Sequence, residues 1–146
     1  MRTLIAIFIS VLILTACNSS KETKTNTPVF SDEFLSEAVI YEVNVRQYTQ
    51  EGTFNAFAKH LPKLKELGVD ILWFMPIHPI GELKRKGTLG SYYSISDYRE
   101  INPEFGTLDD FKSLVDAAHD LEMLVMIDLV AGHTAWDHPW IAAHPE

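Results

Sequence analysis

Met126-Ile127-Asp128-Leu129-Val130-Ala131-Gly132-His133 is the stretch that decides how this chain is read. Four apolar residues, Met126, Ile127, Leu129 and Val130, surround one carboxylate, and the run breaks at Gly132 to present His133. A continuous apolar run of this kind predicts a strand buried on both faces, as in a parallel sheet. Asp128 is then expected to be buried, which is unfavourable for a carboxylate unless a partner satisfies it. His133 falls just past the strand end, where parallel α/β folds place their chemistry.

Upstream, Thr107 to Glu122 predicts a helix. Thr107 with Asp110 three residues on fits a capping box, and Asp109 and Asp110 suit the positive end of the helix dipole. Phe111, Leu114, Val115, Ala118 and Leu121 fall on one apolar face. Val69 to Met75 predicts a strand stopped by Pro76, and a long loop follows to about Glu104. Before it, Phe54, Phe57, Leu61, Leu64 and Leu67 recur at helical spacing, with Gly68 as the C-terminal cap. Pro62 should kink that helix or restart it as the first residue of a second one. Val39 to Tyr48, rich in β-branched and aromatic residues, predicts a first strand. The order β-α-β-α-β implies a parallel sheet, and no helix is expected after the third strand.

The chain has 146 residues, of which 47% are apolar and 22% charged, a globular composition. Residues 1–16 stand apart from it. Arg2 precedes an apolar stretch from Leu4 to Leu14 that is broken only by Ser10 and is too short to span a bilayer. This predicts a secretory signal peptide. Leu14-Thr15-Ala16-Cys17 resembles a bacterial lipobox, which would make Cys17, the only cysteine, the lipid-attachment residue. Loss of residues 1–16 removes Arg2 and no acid, so the formal charge moves from −8 to −9. Such an acidic chain argues against nucleic acid as a partner. Residues 17–35 are expected to form a polar tether and 36–146 the folded part, anchored to the bacterial cell envelope on the periplasmic face or at the cell surface. An open three-strand parallel sheet leaves much apolar surface uncovered, so the chain reads as the first part of something larger.

Asp128, Val130, Gly132 and His133 resemble the first signature motif of the α-amylase family of glycoside hydrolases, Asp-x-Val-x-Asn-His. The resemblance runs from about Val39 to Trp140. Ile40-Tyr41-Glu42-Val43 looks like the family's first strand, and Leu67-Gly68-Val69 with Leu72-Trp73-Phe74-Met75-Pro76-Ile77 like its first helix end and second strand. Gly90-Ser91-Tyr92-Tyr93-Ser94-Ile95-Ser96-Asp97-Tyr98 looks like the following loop, and Asn102-Pro103-Glu104-Phe105-Gly106-Thr107 like the start of the second helix. Order and spacing together carry the likeness.

That resemblance implies the first β-α-β-α-β portion of a (β/α)8 barrel, truncated after the third strand. A complete barrel needs eight strands and ~250 residues. It implies action on α-glucosidic linkages of starch or malto-oligosaccharides by a retaining mechanism, which needs two carboxyl groups about 5–5.5 Å apart. In the family those groups come from later strands. No catalytic residue is therefore assigned here, and the chain alone is expected to be inactive. His133 is implied to hydrogen-bond hydroxyls of the sugar beside the scissile bond, and Tyr93 to stack on the same sugar. Asp128 is implied to support the active site, pairing in relatives with an arginine that this chain lacks.

Three positions depart from the family pattern. Gly132 replaces an Asn that ligates a structural calcium in many relatives, which counts against calcium, and no other metal or cofactor is implied. Glu122 stands where relatives have Gly, and Tyr92 where they often have Pro. His133, Asp137, His138 and His144 match no helical zinc spacing. Trp136 and Trp140 read as loop packing, and Lys84-Arg85-Lys86 as a solvated loop tip. Two other functions fit the same residues: a degenerate, non-catalytic surface glucan-binding lipoprotein, and a sugar-active barrel that transfers or isomerises.

Overall fold

The computed structural model describes residues 30–143. The predicted signal peptide, Cys17, the tether as far as residue 29, and His144 lie outside the described residues. A short helix α1, Asp32–Glu37, comes first. Three strands follow, β1 (Ile40–Val43), β2 (Ile71–Phe74) and β3 (Leu124–Ile127). They form one sheet in the order β1-β2-β3, parallel throughout, with Glu42 beside Trp73 and Trp73 beside Met126.

The helices between the strands follow the sequence pattern with corrections. α2 (Val45–Tyr48) occupies what was expected to be the second half of the first strand. Val45 and Tyr48 also satisfy a spacing of three, and a short apolar run is ambiguous between the two periods. Asn44 turns the chain, and its carbonyl accepts the Tyr48 N–H at 3.0 Å. Tyr48 then packs edge-on against Phe57 at 4.8 Å between ring centroids. α3 (Phe54–Ala58) and α4 (Leu61–Glu66) are the two halves of the Pro62-interrupted pattern. Pro62 sits second in α4 and not first, still within the turn where no intrahelical N–H is needed. Leu67 caps α4 and is exposed, off the apolar face predicted for it. Gly68, at φ +83°, supplies the left-handed residue that ends the helix.

α5 (Leu108–Asp120) has both arms of the predicted capping box. The Asp110 N–H donates to the Thr107 hydroxyl at 3.1 Å, and the Thr107 N–H donates to the Asp110 carboxylate at 2.8 Å. Hydrogen bonds from the Thr107 hydroxyl and N–H, and from Asn55, hold the Asp110 carboxyl below the ordinary carboxylate range. Glu122, at φ +56°, does take the left-handed conformation that suits glycine, at a cost of roughly 1 kcal/mol.

The core lies between the helices and one face of the sheet. Strand side chains alternate between faces, so Val43, Leu72 and Phe74 enter this core. Phe74 meets Phe57 and Phe111 edge-on at 5.5 and 5.8 Å between centroids, and Phe54 bridges Phe111 to Phe105. Phe111, Leu114 and Ala118 line the buried side of α5, with Val115 and Leu121 packed beside them. The expectation of a third strand buried on both faces fails in its second half. Met126 and Ile127 are partly open, and Leu129 is 84% exposed. Within the described residues β3 is the sheet edge, so no strand covers its outer side. A five-residue helix, α6 (Pro139–Ala143), follows β3 where none was expected.

Candidate sugar-binding site

Asp128 directly follows β3, and its N–H continues the ladder by donating to the Phe74 carbonyl at 2.9 Å. Two residues past Met126, it shares the face of Met126, Trp73 and Glu42, away from the helices. The Trp73 indole N–H donates to Asp128 Oδ1 at 2.9 Å. The Tyr93 hydroxyl, from the loop after β2, donates to Oδ2 at 2.9 Å. Asp128 is half-buried and not fully buried as expected, because the face it occupies is open. In place of the arginine expected from the resemblance, two neutral donors supply one partner for each oxygen. Donation to a carboxylate favours the protonated phenol, so Tyr93 is raised above its ordinary value of 10.0. Burial and the nearby charges of Asp128 and Glu42 push the same way.

The loop after β2 and the segment after β3 are stitched together beyond this cluster. The Ala135 N–H donates to the Ile95 carbonyl at 2.8 Å. The Tyr98 hydroxyl lies 2.7 Å from the carbonyl oxygens of both Val130 and His133. Asp137 Oδ2 accepts the backbone N–H groups of Glu82 at 2.7 Å and Leu83 at 3.0 Å. Burial would raise the Asp137 pKa, but these N–H groups and the neighbouring His138 outweigh it and hold the carboxyl below its ordinary range. The turn works only with glycine at 81. A Cβ there would collide with the Ala135 side chain and the Asp137 carboxylate.

His133 is exposed and does not join the Tyr93–Asp128 pair. It lines an open concavity of about 950 Å³ with Tyr98, Leu129, Gly132, Trp136 and Trp140. Trp140 stacks on Tyr98 at 5.6 Å and 22° between ring planes, a packing role. Trp136 stays 60% exposed, with the Lys84 ammonium 3.8 Å from its ring centre. The loop tip at Lys84-Arg85-Lys86 is exposed as expected. Tyr92 accepts the Arg46 guanidinium over its face at 4.6 Å.

Trp73, Tyr98, Gly81 and the loop-tying role of Asp137 were missed in the sequence. Only Trp73 carried a signal: an indole N–H inside an otherwise apolar strand needs an acceptor when it is covered.

The family model for the alpha-amylase catalytic domain matches residues 18–146. Alpha-amylase 3 of Dictyoglomus thermophilum is 33% identical over 97% of this chain and 26% of its own length. Trehalose synthase of Thermus thermophilus is 44% identical over 73% of this chain and 11% of its own. The crystal structure of an alpha-amylase from Lactobacillus plantarum superposes with a TM-score of 0.72 at 55% identity, covering 74% of this chain and 26% of that one. The chain thus spans about a quarter of the first and third of these relatives, and less of the second. Its open sheet is the β-α-β-α-β portion of a (β/α)8 barrel, and the chain belongs to the alpha-amylase catalytic-domain family of glycoside hydrolases.

Proposed function

We propose that this chain is the N-terminal part of a lipid-anchored enzyme that cleaves or transfers α-glucosidic linkages in starch or malto-oligosaccharides by a retaining mechanism. Its share of the work is binding. Tyr93 offers an aromatic face to a pyranose ring, and His133 a donor and an acceptor to sugar hydroxyls. Asp128 is a supporting residue and not a nucleophile, the role its motif position implies, and it is oriented by the Trp73 indole and the Tyr93 hydroxyl. Neither of the two reacting carboxyl groups is assigned among these residues. Cys17 would carry the lipid and hold the protein at the cell envelope. No cofactor is assigned. Calcium takes six to eight oxygens, and Gly132 brings no side-chain oxygen to such a site.

The observation that carries this reading is the Trp73–Asp128–Tyr93 cluster just past the C-terminal end of β3, the end at which barrels of this kind assemble their sites. The test is product analysis on maltoheptaose, with the protein expressed from its complete gene. Shorter products mean hydrolysis, and longer ones mean transfer. Maltoheptaose that is bound but unchanged would favour the degenerate glucan-binding lipoprotein. Absence of both binding and turnover would refute the proposal.

A further inference from the structure

The proposed sugar contact His133 sits on an arc that does little to hold itself. Between the N–H groups of Asp128 and Ala135, no backbone-to-backbone hydrogen bond forms within the arc. Gly132, next to His133, has open space where a side chain would be. The arc crosses between two anchors, the Asp128 N–H on Phe74 and the Ala135 N–H on Ile95. Something else must fix where His133 points.

The Tyr98 hydroxyl is the group placed to do so. It lies 2.7 Å from the Val130 carbonyl and 2.7 Å from the His133 carbonyl. A phenol has one proton, so both carbonyls converge on a single donor and the arc is closed across it. The ring that carries this donor is itself immobilised. It stacks on Trp140, leans on His138 at 5.5 Å and on His78 at 5.8 Å, and is half-buried. His138 is 4% exposed, its Nδ1 accepts the Trp140 backbone N–H at 3.1 Å, and its ring lies 4.4 Å from that of Trp140, on the far side of the stack. Tyr98 and Tyr93 also share one loop segment, tied at three points, 93, 95 and 98, to the segment that bears Asp128 and His133.

We propose that Tyr98 is a positioning residue for the reaction, setting the His133 imidazole through its hydroxyl on the Val130 and His133 carbonyls. The proposal rests on the reading of His133 as a sugar contact. Tyr98 itself touches no substrate in this scheme. A side chain held by a fixed neighbour contributes most where geometry is tightest, in the transition state. Loss of the tie should therefore lower kcat more than it raises KM.

The experiment is a double-mutant cycle on the protein from the complete gene, with kcat and KM measured on maltoheptaose. Tyr98→Phe removes the donor and keeps the ring in its stack. It should reduce kcat roughly three- to tenfold, the rate equivalent of one neutral hydrogen bond, with little change in KM. In a His133→Ala background the same change should cause almost no further loss, because the group it positions is gone. Independent, multiplying losses would overturn the proposal, since they would mean that Tyr98 acts on the fold at large. A full-rate Tyr98→Phe beside an impaired His133→Ala would overturn it too. A full-rate His133→Ala would sink the underlying reading of His133, and the proposal with it. If Tyr98→Phe does not fold, 3,5-difluorotyrosine at position 98 keeps both ring and donor but ionises at lower pH. Its kcat should then fall as that phenol ionises, and a profile matching the unmodified protein would overturn the proposal.

Discussion

Tyr93→Phe isolates one atom of the candidate site. The ring and its stacking face stay, and the 2.9 Å hydrogen bond to Asp128 Oδ2 goes. A hydrogen bond to a charged acceptor contributes about 1.5–3 kcal/mol when well covered. Tyr93 is 37% exposed, so solvent screening lowers this to about 1 kcal/mol. The pH dependence follows from the raised Tyr93 pKa. Only the protonated phenol can donate. Because the folded-state pKa lies above the unfolded value of 10.0, the stabilisation is whole below pH 10 and is lost as pH rises through the folded value. The stability gap between the native protein and Tyr93→Phe should therefore be constant through neutral pH and shrink in strongly alkaline buffer. Thermal melts of the two proteins across that range measure the gap. Carbon-13 labelling at Cζ of tyrosine, followed through the titration, reads Tyr93 directly. A gap that stayed the same width above the folded Tyr93 pKa would refute the reasoning, as would a Tyr93 that ionised at or below the ordinary tyrosine value. Either result would mean that the phenol does not give its proton to Asp128 in solution.

The other expectations concern binding, backbone fit and anchoring. In the protein from the complete gene, His133→Ala and Tyr93→Ala should each lower kcat on malto-oligosaccharides roughly 10²–10³-fold, more than they raise KM. Arg85→Ala, at the exposed loop tip, should be nearly silent in the same assay, and close-to-native turnover by a folded His133→Ala would remove that residue from the site. Gly81→Ala forces a methyl group into Ala135 and the Asp137 carboxylate, so it should destabilise by about 1–3 kcal/mol or more, read as a lower melting temperature. A native melting temperature would show that the loop yields freely. Cys17→Ser should move the protein from the membrane fraction to the soluble one, and unchanged partition would rule out lipid attachment at that residue.

The alternation of strands and helices was legible because each element kept its own period. Phe111, Leu114 and Ala118 could only share a face on a helix, and Thr107 with Asp110 marked its start. The first strand was overread because Val43 and Val45 suit a spacing of two while Val45 and Tyr48 suit a spacing of three, and only packing against Phe57 decides between them. Covering of β3 was overread for a different reason. An apolar run reports what a strand tolerates on its faces and says nothing of which neighbours lie within the same chain.

The candidate site was legible in its members and illegible in its wiring. Tyr93, Asp128 and His133 stood out as residue types at motif positions, but their partners are set by strand register and by a loop with almost no regular structure. Trp73 reaches Asp128 because parallel pairing puts Trp73 beside Met126, and Asp128 lies one alternation further on the same face. No local pattern predicts a bond across 55 positions of sequence. The loop between β2 and α5 shows the same logic at larger scale. Loops of this length are uncommon unless they serve a function; this one folds back on itself through an antiparallel bridge between Ile80 and Ile95 and is also held from outside. Asp128 takes the Tyr93 hydroxyl, the Val130 and His133 carbonyls take that of Tyr98, and Asp137 takes the N–H groups of Glu82 and Leu83. All these acceptors come from the one segment that follows β3. The two carboxylates that look anomalous there, one ending an apolar strand and one inside a tryptophan-rich turn, are therefore the two ends of a single seam. That seam places the aromatic face of Tyr93 and the imidazole of His133 on loops at the same end of the sheet.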